Sequence, residues 1–418
     1  MNSKYILLIC CIFSSYCKAQ VKFEKEVELG NQLMSCNEPA ITINPSNTRQ
    51  QIVATNTKHV FRSKNNGRKY KHARAESQYG VYGDPVLMYD EKGNCYYVHL
   101  SEDKTRKWPE SFDRIVVQKS TNNGRTWNQG VGIGKNGKMQ DKAWISFDNG
   151  FESPYKGKIY ITWTQFDKYE SKDSKDSSRI LFAYSADRAE SFSTPVIISD
   201  FGGDCRDSDS TLEGATTSTG PKGEVYALWA GHQQLYFDVS YDGGKTWGKD
   251  KSILKTPKGW DLDTPDFMRT NGLPFLVSNR EGKLMACTAY EIDGYNRVVV
   301  IESNDGGKNW SLPEVLQKDD SSHYIMPHAF VDKTSGTFAV IYYKIKNKQI
   351  NVLLSYKKKD EKSFHTIRLN DHACIVPGNG VFFGDYINVC IVNDIIAATW
   401  TETKGISTVV KSRRVRLK

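Results

Sequence analysis

One eight-residue pattern constrains this chain more than any other feature: SYDGGKTW, at positions 240–247. Asp242 can accept hydrogen bonds from backbone N–H groups just downstream, and Gly243 and Gly244 can take positive φ without a Cβ clash. Trp247 then opens a new strand with a large apolar ring. Taken once, this is a tight hairpin of the kind any β protein contains. It is not taken once. STNNGRTW begins at Ser120, SNDGGKNW at Ser303 and a looser SKNNGRKY at Ser63. A worn copy, SADRAESF, begins at Ser185, while SYKKKDEKSF at Ser355 keeps only the serine and the final aromatic. The copies recur roughly every 50 to 65 residues, which predicts a repeated four-stranded unit.

The rest of the chain has the matching rhythm. Helical periodicity is nearly absent, and β-branched and aromatic runs alternate with turn residues throughout. Paired runs mark the first two strands of each unit: EPAITINP with QQIVATNT, DPVLMYD with CYYVHL, AWISFD with KIYITWT, and EGATTST with EVYALWA. LPFLVSN with LMACTAY, MPHAFVD with FAVIYYK, and GDYINVC with IIAATWT complete the series. Seven inner-strand starts stand against six serine turns. A ring reconciles them: the last unit runs out of chain after ISTVVKSRRVRL, and VKFEKEVEL near the N-terminus can supply its missing outer strand. The expectation is an all-β fold, a β-propeller of four-stranded blades closed by the N-terminal strand. Seven blades are favoured, with six the alternative if one short unit is not a full blade.

Composition adds bounds. The chain has 418 residues, 39% of them hydrophobic and 12% aromatic, which suits one large closed domain over 21–418. Residues 1–20, MNSKYILLICCIFSSYCKAQ, carry Lys4, a short apolar run and small residues, and read as a secretory signal peptide. Lipidation at Cys17 is the alternative, with Tyr16 a poor fit before it. Export to a periplasm, a cell surface or the medium follows, and no segment is apolar and long enough to span a bilayer. The net charge of +9 becomes +7 without Lys4 and Lys18, a balance that suits an anionic ligand such as an acidic glycan. The C-terminal KSRRVRLK alternates like an edge strand, which argues against nucleic-acid binding. Nine cysteines become six after cleavage, with no zinc spacing among them. Cys95, Cys287 and Cys390 lie in apolar runs and read as buried thiols, leaving Cys36, Cys205 and Cys374 as the better placed for pairing.

The serine–aspartate–glycine–tryptophan pattern resembles the Asp-box, or BNR repeat, of the sialidase superfamily. QDKAWISFD, SPYKGKIYITWTQFDKY, GDCRDSDSTLEGA and FFGDYINV extend a similarity to secreted bacterial sialidase-like glycoside hydrolases over nearly the whole mature chain. The resemblance implies that the boxes join the outer strands of each blade on the face opposite the site. Asp242, Gly244 and Trp247 would then be structural, and the chemistry would lie at the inner-strand starts and the loops between second and third strands. Inner-strand starts offer Glu38, Asp84, Asp141 with Lys142, Glu213, Asp266 with Arg269, His328, and Asp385 with Tyr386. The loops offer His59, Arg106, Glu170, His232, Glu291 and Glu402.

Acids converging on one axis repel each other and raise one another's pKa, so one can stay protonated beside an ionised partner, as glycosidic cleavage needs. Asp84, Asp141 and Glu213 are the first candidates for these acids, followed by Glu38 and Asp385. Arg269, Lys142 and His328 are expected to orient substrate, with Arg106, His232 and Glu291 further binding candidates. Sialidases, the resemblance implies, use an arginine triad, a tyrosine nucleophile aided by a glutamate, and an aspartic acid. Tyr386 is the candidate nucleophile or stacking platform, but the arginine-bearing FRIP motif is missing and FMRTNGLP around Arg269 only echoes it. A polysaccharide lyase with His328 or His232 as base is a second reading, and a glycan- or protein-binding propeller without turnover a third. No cofactor is expected; Asp207 and Asp209 in CRDSDS offer calcium as an alternative to a plain surface loop. DKYESKDSKDSS is expected to be a mobile rim loop. Among Trp144, Trp163, Trp229 and Trp400, core packing is the general expectation, with one or two stacking on sugar at the mouth.

Overall fold

The computed structural model describes residues 21–317, 321–378 and 380–418; the expected leader at 1–20 lies outside the described residues. It contains seven antiparallel sheets of at least four strands and, among the described residues, no α-helix. The sheets are blades whose inner strands are Ala40–Ile43, Val86–Tyr89, Met139–Phe147, Glu213–Thr219, Phe275–Ser278, His323–Val331 and Asn388–Val392. Each packs beside the next, and Asn388–Val392 packs beside Ala40–Ile43, so the ring closes. Side chains tie neighbours together at the axis: Asn388 Oδ1 accepts from the Ile41 N–H at 3.2 Å, and Thr216 Oγ1 accepts from the Leu276 N–H at 3.1 Å. The paired runs seen in the sequence become the first and second strands of the seven blades.

The last blade is completed from the other end of the chain. Lys22–Phe23 and Val27–Leu29 both pair antiparallel with Ser407–Arg416, placing Phe23 opposite Val415 and Leu29 opposite Val410. This leaves the final hairpin without an open edge. The blades bury continuous apolar layers, and Trp163, Trp229 and Trp400 are fully buried within them. The six described cysteines are all free thiols, Cys374 half-buried and the others buried.

The serine turns sit where each third strand ends. In blade 4, Ser240 Oγ receives the Gly244 N–H at 2.9 Å, and Asp242 Oδ1 receives the N–H groups of Lys245 and Thr246, both at 2.9 Å. Gly244 has φ +88°, and a Cβ there would lie 2.4 Å from the Phe182 ring of the preceding blade, so the turn also sets how two blades meet. The copy at Ser185 is less worn than its letters: Ser185 Oγ still receives the Ala189 N–H at 2.8 Å, with Ala189 held at φ +65°. At Ser355 the pattern is gone, and its hydroxyl instead bonds Tyr342 and Thr366. Because the strands alternate in direction, these turns lie at the opposite end of the blades from the inner-strand starts.

Candidate active site

The inner strands begin in unusual backbone. Glu38 has φ +48°, Asp84 φ +53° and Lys142 φ +46°, while Gly214 and Gly384 follow Glu213 and precede Asp385 at φ +68° and +96°. Register shifts after Asp141 and Glu213 mark β-bulges at the same level. Bulges and left-handed residues re-aim side chains, and their concentration at one level of a fold marks a functional site more often than a packing requirement. Here they turn acids from five blades toward the axis. A Cβ at Gly384 would lie 2.7 Å from Glu38 Cγ, so glycine lets the backbone pass close enough for the Asp385 N–H to reach Glu38 Oε1 at 3.0 Å.

The result is a cavity of about 570 Å³ at the mouth of the propeller, with Glu38, Asp84, Asp141, Asp207, Glu213 and Asp385 in its wall. Two cations share it. Arg269 is clamped across the cavity: Nε donates to Asp385 Oδ1 at 2.9 Å, Nη2 bonds Asp385 Oδ2, and Nη1 donates to Asp207 Oδ2 at 2.9 Å. Lys142 Nζ stands 3.8 Å above the centre of the Tyr386 ring. Asn56 links two acids, donating through Nδ2 to Glu38 Oε2 and accepting the Asp84 N–H at 2.9 Å. Tyr169 donates to Asp207, and Trp108 meets Tyr169 edge-on with ring centroids 5.7 Å apart. Trp260 and Phe382 complete an aromatic rim.

Burial and mutual repulsion favour the protonated forms of Glu38, Asp84, Asp141, Asp207 and Glu213. Glu38 lies well above the usual carboxylate range, through burial first and then Asp84 and Asp385. Asp141 is likewise far up, through burial, then Asp84 and Asp207; Glu213 is far up through burial, then Asp207 and Asp141. Asp84 and Asp207 are raised mainly by burial, with Lys142 opposing the rise in the first and the Tyr169 hydroxyl in the second. Burial works against the charge on Arg269, but Asp385 and Asp207 outweigh it and keep the guanidinium ionised. Carboxyls pushed toward the protonated form are thus gathered around an ionised guanidinium in one cavity of about 570 Å³, an arrangement suited to general acid–base chemistry.

Of the residues expected from the sequence, Asp84, Asp141, Glu213, Glu38, Asp385, Arg269 and Lys142 line this cavity. Tyr386 lies beneath it, its buried hydroxyl without a partner and its pKa pushed well up by burial, Asp84 and Glu38. That environment disfavours the phenolate, and the Lys142 ammonium faces the ring rather than the oxygen. His328 is elsewhere. Its strand begins at His323 rather than at the MPHAFVD run, so His328 sits below the acids in a separate channel of about 260 Å³ lined by the inner strands. There it packs on Phe275 and Trp144, bonds Asn388 and the Val389 N–H, and is held down to about 3 by burial and Lys142.

The loop residues also fall away from the cavity. His232 is exposed and bonds the Gly202 carbonyl, and Glu291 pairs with Lys258 Nζ at 2.9 Å. Arg106 lies outside the lining; His59 faces His72 at 3.0 Å, and Glu402 accepts from the Trp400 indole. Asp207 and Asp209 diverge, the first onto Arg269 and the second capping the Trp260 N–H at 3.0 Å, so they do not form a chelate. The aromatics at the mouth are Trp108 and Trp260 rather than the inner-strand tryptophans; Trp144 faces the lower channel. The charged loop 167–178 supplies Tyr169 to the wall.

Three solved structures share this architecture. A protein of unknown function from Dyadobacter fermentans aligns over 95% of this chain and 99% of its own, with TM-score 0.54 and 12% identity. The NanB sialidase from Streptococcus pneumoniae aligns over 88% of this chain and 84% of its own, with TM-score 0.53 and 10% identity. A PL25 ulvan lyase bound to -[GlcA(1-4)Rha3S]- aligns over 92% and 95%, with TM-score 0.53 and 11% identity. What they share with this chain is the propeller. At these identities the likeness is one of fold and leaves chemistry to the site itself. No family model matches the chain, and no curated protein sequence does. Among the described residues no helix is long and apolar enough to cross a membrane.

Proposed function

We propose that this protein is an exported glycan-cleaving hydrolase whose reaction centre is the acid cluster at the propeller mouth. The observation that carries this reading is the pair Asp141 and Glu213 in the cavity wall, the first half-buried and the second buried, both held toward the protonated form by desolvation and by neighbouring carboxyls. One of the two donates its proton to the glycosidic oxygen as the C–O bond breaks. The other, ionised in that state, stabilises the positive charge developing on the sugar ring or activates water. Trp260, Tyr169 and Phe382 offer faces on which a sugar ring can lie. Asp385 and Asp207 act through Arg269, which they fix in place.

The lyase reading loses its expected bases, since His328 is sealed below the cavity and His232 lies outside its lining. The test is a panel of polysaccharides digested with the full chain and with Asp141→Asn and Glu213→Gln. New reducing ends without ultraviolet-absorbing unsaturated products, lost in both variants, is the expected result. Unsaturated products would replace hydrolysis by elimination, and undiminished release in both variants would remove these acids from the reaction.

A further inference from the structure

The cavity is unevenly supplied with hydrogen-bonding groups. Three of the five N–H groups of Arg269 are already given to Asp385 and Asp207. Glu213 Oε2, by contrast, is buried and has no partner; Glu213 is 6% exposed. Asn37, 8% exposed in the same wall, gives its Nδ2 to the Phe382 carbonyl and leaves Oδ1 without a partner. Unpaired buried acceptors are costly, and they are relieved by a ligand that brings donors. The remaining donors in the wall are the Lys142 ammonium on the Tyr386 ring, two N–H groups of Arg269, the Tyr82 hydroxyl and the indole N–H groups of Trp108 and Trp260.

Charge points the same way. Six carboxyls face two cations, and an acid that holds its proton can release it beside an incoming cation but not beside an anion, so a carboxylate or sulfate would find its one guanidinium already clamped by Asp385 and Asp207. An ammonium group would meet acceptors on several sides. We infer that the sugar unit seated at these acids carries no carboxylate or sulfate and is an amino sugar, its ammonium received by Glu213 and Asp141. This rests on the glycan-cleaving reading above, and it reverses what the net positive charge of the chain alone suggests.

The inference is tested by binding the full chain, at neutral pH and physiological salt, to an array of glycans. Their terminal residues are glucosamine, galactosamine, the N-acetyl forms, neutral hexoses, uronates, sialic acid and sulfated hexoses. Glycans ending in a free amine should bind about tenfold more tightly than their N-acetyl counterparts, with the acidic set weakest. Glu213→Gln and, independently, Asp141→Asn should each cut that preference at least about fivefold, with a cooperative thermal melt no lower than that of the wild type. Asp207→Asn, which relaxes one clamp on Arg269, should raise acidic-glycan binding relative to amine binding. Equal or stronger binding of neutral or acidic glycans overturns the amino-sugar assignment while leaving glycan cleavage standing. An amine preference untouched by both variants overturns its placement at these acids. No capture in any class overturns the glycan reading itself, and this inference with it.

Discussion

Asp242 and Asp305 lie at one end of blades 4 and 5, in the serine turns; Asp141 and Glu213 lie at the other end of blades 3 and 4. The turn aspartates are pulled down to about 2. In Asp242 burial pushes upward but is outweighed by the Thr246 hydroxyl and N–H, Ser240 and Lys245. In Asp305 the Asn309 backbone and side chain dominate. The mouth acids are pushed up instead, and the contrast lies in donors: Asp141 receives the Lys142 N–H at 2.7 Å, and Glu213 Oε2 receives nothing. The turn aspartates are saturated with donors, whereas Asp141 and Glu213 at the mouth are left with few. The turn aspartates and the two proposed reaction-centre acids are therefore told apart by their donors, not by residue type or by repetition in the sequence.

The largest expected break in this contrast is catalytic. Removing the proton donor by Asp141→Asn or Glu213→Gln should lower kcat/KM for the cleaved glycan by about 10²–10⁴, the usual worth of a general acid. Because the acid must be protonated, activity in the wild type should fall on the alkaline side as pH rises through its raised pKa. Initial rates across a pH series check both; a flat alkaline limb would mean that no proton held by these groups is used.

Next in size is the clamp. Arg269→Gln leaves Asp207 and Asp385 facing one another without their shared cation, a loss of about 3–5 kcal/mol for a buried pair deprived of one partner. Arg269 is about a third exposed, which places the expected loss near the lower figure. Chemical denaturation at pH 7 measures it, and the loss should shrink at pH 5, where protons take over from the guanidinium. An equal loss at both values would show that packing rather than charge is at stake.

How far the sequence carries this picture can be read from particular residues. The blades were legible because the strands repeat and because Ser240, Asp242 and Gly244 fix a turn through local bonds that letters reveal. Glu38, Asp84, Asp141, Glu213 and Asp385 were legible because each begins an inner strand, and ring closure brings all such starts to one axis. The loops between second and third strands also reach the cavity, through other residues than those expected. Asn56, Trp108 and Tyr169 face the cavity where His59, Arg106 and Glu170 were expected, displaced by three, two and one positions. Irregular loops have no periodicity from which to count a facing side chain. Asp207, read from the sequence only as a candidate calcium ligand, could not be placed in the cavity for the same reason, since only folding brings loop 204–211 against Arg269. His328 was misplaced because apolar character continues upstream of the MPHAFVD run, hiding where the strand begins.

A smaller effect separates the two acid sets by stability alone. Asp141 and Glu213 bind protons more tightly in the fold than in the unfolded chain. Their contribution therefore favours the fold below the ordinary carboxylate range and is lost as pH rises through their raised native values. Asp141→Asn removes a penalty that grows with pH, so the variant should gain on the wild type by about 1–2 kcal/mol at pH 8 and by less at pH 5. Thermal melts at the two values check the sign. A variant less stable than the wild type at pH 8 would mean that the Asp141 charge is already compensated within the fold.

The smallest effect comes from the turns, and blade 2 supplies its control. There Asn122 stands where blade 4 has Asp242, and its Oδ1 receives the Arg125 and Thr126 N–H groups at 3.0 and 2.9 Å. An amide thus makes the same backbone bonds without a charge. Asp242→Ala removes those bonds and should cost about 1–2 kcal/mol, whereas Asp242→Asn should stay within about 0.5 kcal/mol at pH 7. The carboxylate's own share is present above the unfolded range and lost as pH falls toward about 2, so the gap between wild type and Asp242→Asn should close in acid. Glycan cleavage should be unchanged in both variants, because the turn lies at the far end of the blade from the cavity. Denaturant midpoints from pH 7 down to pH 3, alongside activity at pH 7, measure all of this. A loss for Asp242→Asn as large as for Asp242→Ala would show that the turn depends on charge, and the donor count would no longer separate the two ends of the molecule.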